Sequence, residues 1–326
     1  MLTDSFGRQF EYLRVSITDV CNYRCQYCLP NGYLKPTSKT QREFLSKEEI
    51  ANAVASFAAL GTRKIRITGG EPAIRSDLTE IIQRCKQVSG IETVAITTNG
   101  YRLENNIRAW HQAGLDRLNV SIDSFDPRLF HSITGHNHLE SILRGVEQAL
   151  ELGLEKVKIN SVLLRQFNAQ GLEQILHWLK DRPVTLRFIE LMQTGDNLRF
   201  FEQQHVSGQS LEFDLLKRGW QPIARGSTAG PAKEFQHPNY RGRVGLIMPY
   251  EKGFCETCNR LRLSAKGDLQ LCLFGEQGLN IRNELTNQNH QILAKRIVEY
   301  VKTKQAAHSL KQGNSGVTRH LAMIGG

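Results

Sequence analysis

Three cysteines, Cys21, Cys25 and Cys28, stand in the run CNYRCQYC. Thiolates at this spacing can hold three irons of a cubane cluster and leave the fourth iron open, whereas a structural zinc site closes itself with four protein ligands. An open iron implies chemistry. A second triplet, Cys255, Cys258 and Cys272, lies within GFCETCNRLRLSAKGDLQLCLF, so six of the seven cysteines fall into two groups of three. Because C-x2-C is also the commonest zinc signature, the competing reading pools Cys25, Cys28, Cys255 and Cys258 into the zinc ribbon of a nucleic-acid-binding protein. That reading leaves Cys21 and Cys272 without roles. Cys85, inside the helical stretch DLTEIIQRCKQV, reads as a small core residue with no function assigned.

The elements that must position these thiols are legible as an alternation. Six short β-branched runs, LRVSIT from Leu13, KIRITG from Lys64, TVAITTN from Thr93, RLNVSID from Arg117, KVKINSVLL from Lys156 and TLRFIEL from Thr185, are each followed by a segment of helical periodicity. Repeated βα units of this kind build a parallel sheet. Ser46 with Glu49 three residues on is a capping-box pattern opening the first helix, and Gly61, Gly114 and Gly153 are placed to end helices. Six units fall short of the eight of a closed barrel, so the expected fold is α/β, an incomplete (βα)6 TIM-type barrel. Past Trp220 the alternation stops; the division is a barrel over residues 1–220 and a smaller C-terminal region over 221–326 that closes the open side.

Barrel chemistry collects at the carboxyl ends of the strands. Here those ends carry the cysteine loop, then Gly69, Gly70 and Glu71, then Thr97, Thr98 and Asn99, then Ser121 and Asp123, then Lys158 and Asn160, then Glu190 and Met192. The net charge of +10 fits a polyanion, but there is no lysine-rich tail and no basic stretch interleaved with aromatics. A phosphorylated small molecule is therefore expected rather than nucleic acid. No stretch approaches the length of a membrane span, and clustered rather than paired cysteines place the chain in reducing cytoplasm.

Taken together, CNYRCQYC after a first strand, GGEP after a second and the partial barrel resemble the radical S-adenosylmethionine superfamily. Within it, LRVSITDVCNYRCQYCLP, TRKIRITGGEP, ITTNG, NVSIDSFDP, RFIELMQTG, the FCETCNRLRL to LCLF block and the final Gly325 and Gly326 are similar to the GTP 3′,8-cyclase family. The resemblance covers essentially the whole chain. It implies a lyase that converts GTP to (8S)-3′,8-cyclo-7,8-dihydroguanosine 5′-triphosphate, the first step of molybdenum cofactor biosynthesis. Two 4Fe-4S clusters are implied, one on Cys21, Cys25 and Cys28 and one on Cys255, Cys258 and Cys272, with Tyr27, Gly70, Ser121 and Met192 at S-adenosylmethionine. Arg14, Arg66, Thr97, Lys158, Arg260, Leu261 (through its backbone) and Arg262 are implied GTP contacts, with Thr97 preferred over Thr98. A homodimer, a separate electron donor, handover to cyclic pyranopterin monophosphate synthase and a glycine tail reaching the site follow from the same resemblance. The sequence departs from common family wording at Ala73 in GGEPAIR and at MQTG, neither of which removes a ligand. The remaining rival, a peptide-maturing radical enzyme with an auxiliary cluster, leaves RLR and the glycine pair unexplained.

Overall fold

The computed structural model describes residues 1–34, 43–168, 172–224, 226, 229–286 and 290–325. Six parallel strands form the centre: β1 (Tyr12–Ser16), β2 (Lys64–Thr68), β3 (Thr93–Thr98), β4 (Arg117–Ser121), β5 (Lys156–Leu163) and β6 (Thr185–Glu190). Between them run α1 (Lys47–Ala59), α2 (Leu78–Gln87), α3 (Leu103–Gln112), α4 (Pro127–Thr134), α5 (Leu139–Glu151) and α6 (Leu172–Leu179). The strands and the first cap fall where the periodicity puts them. The Ser46 side chain accepts from the Glu49 N–H while the Glu49 carboxylate takes the Ser46 N–H, and α1 gives way at Gly61, whose φ is +99°.

After α7 (Leu198–Gln204) and α8 (Gly208–Lys217), the C-terminal region adds six short strands. These are β7 (Gln221–Pro222), β8 (Lys233–Gln236), β9 (Arg243–Ile247), β10 (Arg260–Leu263), β11 (Asp268–Gln270) and β12 (Leu279–Asn280). The sheet order is β12-β11-β10-β1-β2-β3-β4-β5-β6-β9-β8-β7, with β10 parallel to β1 and β9 parallel to β6. The C-terminal strands thus extend the six-strand arc at both edges and frame its opening. Among the described residues no ladder joins the two outer strands, so the barrel is unclosed.

Period-two alternation decides which way each side chain points. Leu13, Val15, Ile65, Ile67, Leu118, Val120, Ile159 and Leu261 are fully or almost fully buried and belong to one core with Ile50, Val54 and Phe57 of α1, Ile81 and Cys85 of α2 and Ile142 and Val146 of α5. Burying each such side chain contributes about 1.5–3 kcal/mol. The residues between them face inward, and there the chain is basic. Tyr12 lies in register with Lys64 on one side and Arg260 on the other, and Arg14 with Arg66 and Arg262. A barrel interior is ordinarily filled by branched apolar side chains, and like charges directly opposite one another destabilise a sheet. A row of arginines here is legible only as a binding surface.

Candidate functional site

The loop after β1 carries Cys21, Cys25 and Cys28 to the carboxyl end of the sheet, where the Cys28 N–H closes a turn on the Cys25 carbonyl (3.0 Å). Cys21 Sγ accepts from the Tyr23 N–H at 3.4 Å and from Asn99 Nδ2 at 3.9 Å. Burial pushes the thiols up, Cys21 to about 11 and Cys28 to about 12, and the neighbouring charges of Glu71 at Cys21 and Asp123 at Cys25 push the same way. The three thiols act on one another. Cys255, Cys258 and Cys272 likewise form a mutually interacting group, so the pooled four-cysteine ribbon is not what the fold builds. Among the described residues no three His, Cys, Asp or Glu side chains converge as they would on a single ion; a cubane is larger and spreads its thiolates more widely. Soft sulfur donors in threes suit iron–sulfur chemistry.

Around the first triplet the polar groups are acidic and engaged. The buried Glu71 carboxylate accepts from Thr98 Oγ1 (2.6 Å) and the N–H groups of Asn99 (2.6 Å) and Ala73 (2.9 Å), and burial pushes it up to about 7. Asp123, pushed up by burial to about 6, accepts from the Tyr27 hydroxyl (2.9 Å) and the Val162 N–H (2.8 Å). Tyr27 therefore spends its hydroxyl on Asp123. Gly70 has a reason in the fold itself: a Cβ there would sit 2.3 Å from the Val20 carbonyl oxygen, so the missing side chain lets the cysteine loop lie against β2's end. Ser121 is half-buried at the end of β4, in register with Asn160.

Below this lies a cavity of about 830 Å³ lined by twelve lysines and arginines against four glutamates. Arg14, Arg66, Lys158, Arg260 and Arg262 line it, as do Met192 and all of Cys255, Cys258 and Cys272. Thr97 does not; it takes a hydrogen bond from Arg66 Nη1 at 3.2 Å, whereas Thr98 faces Glu71. Leu261 turns its side chain into the core and lies in register with Leu13. Tyr27, Gly70 and Ser121 are likewise outside the lining. The Nε atoms of Arg187, Arg260 and Arg262 are buried with no partner. Unsatisfied buried donors are costly, and three of them on cationic side chains that line one cavity call for an anion.

Sequence reasoning passed over Tyr12, Lys64, Arg117, Lys156 and Arg187, which line the same cavity. The signal was present for four of them, since Tyr12, Lys64, Arg117 and Lys156 each occupy the same face of their strand as an assigned residue or an inward asparagine, whereas Arg187 is tied to the row only by its register with Asn160 of β5. Gly245, in register with Arg187, makes room for it, since a Cβ there would meet Arg187 Cγ at 2.9 Å. Burial and mutual repulsion lower the cations, Lys64 and Lys158 to about 8, Arg14 to about 9 and Arg187 to about 10. Lys158 is held by Glu234 of β8. Around the second triplet, Arg260 Nη2 reaches Cys258 Sγ at 3.9 Å and Arg8 Nη1 binds the Cys255 carbonyl at 3.1 Å. Burial would raise the Cys258 thiol, but the cations of Arg260, Lys304 and Arg262 hold it down at about 6.

The segment after Gly313 joins the two regions. Backbone groups of Leu321 and Ala322 hydrogen-bond the Cys28 thiol, and the Gly325 carbonyl accepts from Arg14 Nη2 at 2.6 Å. Gly325 (φ +64°) sits where a Cβ would be 2.2 Å from Thr68 Cγ2. Gly326 lies outside the described residues.

Residues 15–179 match the Radical SAM superfamily, and residues 184–310 match the family described as Molybdenum Cofactor Synthesis C. Over its full length the chain is 51% identical to a protein named GTP 3′,8-cyclase from Mannheimia succiniciproducens, spanning 96% of that protein. It is 52% identical to a protein of the same name from Pasteurella multocida, again over 96% of the relative's length. Among solved structures, Streptococcus suis SuiB bound to S-adenosylmethionine superposes with a TM-score of 0.62 at 12% identity, over 91% of this chain and 68% of SuiB, a likeness of fold.

Proposed function

Because the chain belongs to the GTP 3′,8-cyclase family of radical S-adenosylmethionine enzymes, we propose that it converts GTP to 3′,8-cyclo-7,8-dihydro-GTP in the cationic cavity. One observation carries this reading: Arg187, Arg260 and Arg262, whose buried Nε atoms find no partner, line the same space as the second cysteine triplet.

Cys21, Cys25 and Cys28 would hold the cluster that, when bound, supplies the electron for cleaving S-adenosylmethionine. The chain's own part is positioning and exclusion of water. Glu71 and Asp123 give the first site a negative lining suited to the sulfonium and ammonium cations of S-adenosylmethionine. Gly70, the engaged Tyr27, Ser121 and Met192 would bound it. Arg14, Arg66, Arg187, Arg260 and Arg262, with Lys64 and Lys158, offer planar forks and point charges to a triphosphate. Thr97 would act by orienting Arg66. Cys255, Cys258 and Cys272 would hold a second cluster beside the purine. The same family reading supports a homodimer, an electron donor and handover to cyclic pyranopterin monophosphate synthase, while the end of the βα alternation past Trp220 supports a boundary near residue 220 and the clustered cysteines a cytoplasmic location. No helix among the described residues is long and apolar enough to cross a membrane.

The test uses reconstituted protein, strong reductant, S-adenosylmethionine and GTP deuterated at ribose carbon 3′. Deuterium in the 5′-deoxyadenosine is expected; cleavage without deuterium transfer would reject ribose carbon 3′ of GTP as the hydrogen donor and reopen the substrate.

A further inference from the structure

The row of cations along β1, β2 and β10 contains no carboxylate: the strands read YLRVS, KIRIT and RLRL. The glutamates of the cavity, Glu212, Glu234, Glu251 and Glu256, all come from the C-terminal half, and Glu234 is engaged with Lys158 while Glu212 and Glu251 meet Lys233. Buried charge without a counter-charge is strongly disfavoured. The acidic group within the row is the phenol of Tyr12. Its side chain is buried, Arg66 Nε donates to its oxygen, Lys64 Nζ stands 4.7 Å from its ring centroid and the Arg66 guanidinium carbon 5.7 Å.

We propose that Tyr12 is the resident counter-anion of the cavity floor, a phenolate in the empty site that takes up a proton when a nucleoside triphosphate binds. The inference rests on the cavity being the triphosphate site. Burial alone would raise the phenol, yet the cations of Arg66, Arg14 and Lys64 bring it down to about 6. Every charged group facing it is a cation: Arg14 on its own strand, Lys64 and Arg66 from β2, Arg260 and Arg262 from β10, and Arg187 from β6. A triphosphate brings its negative charge to these same cations and cancels the field that keeps the phenol ionised. By linkage, protons then favour nucleotide binding as much as nucleotide favours protonation. Affinity contributed through Tyr12 is therefore highest at and below pH 6 and falls as pH rises above it. Lys64 and Lys158, near 8, still carry most of their protons at pH 7, and the contribution of the tyrosine is the difference between wild type and a variant without the hydroxyl.

The experiment is calorimetric titration of GTP into the holoenzyme at pH 7 in two buffers of different ionisation enthalpy, for wild type and Tyr12→Phe. Wild type is expected to take up about one proton more per GTP than the variant. Equal proton counts in the two proteins overturn the proposal. Absence of GTP binding to wild type overturns the triphosphate site itself, a distinct failure that removes this inference with it. A second measurement does not depend on the variant folding: the nucleotide-free wild type titrated from pH 5 to pH 8 is expected to develop the ultraviolet difference band of one tyrosinate among its eight tyrosines, suppressed by saturating GTP. A flat spectrum overturns the proposal.

Discussion

The two cysteine triplets present the same donor set in opposite electrostatic surroundings. Around Cys21, Cys25 and Cys28 the nearby charged groups are buried carboxylates, and the thiols are held in their neutral form. Around Cys258 the neighbours are Arg260, Lys304 and Arg262, and the thiolate is favoured. Spacing tells the two triplets apart in the sequence, and the charge of the surrounding side chains tells them apart in the fold: acidic neighbours favour a cation beside the first, basic neighbours an anion beside the second.

Removing one sulfur from each triplet gives the largest effect. Cys21→Ala should abolish 5′-deoxyadenosine formation, whereas Cys258→Ala should keep it and lose the cyclised nucleotide, both read by mass spectrometry. Equal loss of cleavage in both variants would break the division of labour. Next, Arg260→Ala and Arg262→Ala should each weaken GTP binding by roughly 10- to 150-fold, the worth of a hydrogen bond to a charged group, with iron and sulfide content unchanged. Unaltered GTP affinity would remove these arginines from the site. Gly325→Ala, which forces the segment spanning both regions away from Thr68, should slow turnover by about tenfold through misplacement while leaving S-adenosylmethionine affinity intact. Smallest is a pH effect confined to the second region. Lys64 and Lys158 are charged below about 8 and neutral above it, so GTP affinity should fall severalfold between pH 8 and 9.5.

The strands were legible because their apolar residues alternate and their helices do not; LRVSIT, KIRITG and TVAITTN became β1, β2 and β3 within two residues of either end. The cysteine groups were legible because spacing alone separates them. What escaped was the rest of the inward face, Tyr12, Lys64, Arg117, Lys156 and Arg187. Lys64 and Lys156 were written into the strands, and only the register that places Tyr12 beside Lys64 and Arg260 turns scattered basic residues into one row. Gly70 illustrates the converse: its type signalled close approach, but the neighbour was the Val20 carbonyl of the chain itself, which no local pattern could name. The two C-terminal edges of the sheet also depended on long-range pairing, since β9 and β10 join opposite ends of an arc formed far earlier in the chain.

The inward cationic row has a consequence for the life of the protein in a cell. A fold that packs like charges where others pack leucine is under internal pressure whenever its cavity is empty, and ligand saturation relieves it. A nucleotide at a hundred times its dissociation constant adds about 2.7 kcal/mol to stability by mass action alone. In a nucleotide-poor cell the same chain would spend more time unfolded and meet proteases more often, so its abundance would follow the supply of the molecule it consumes.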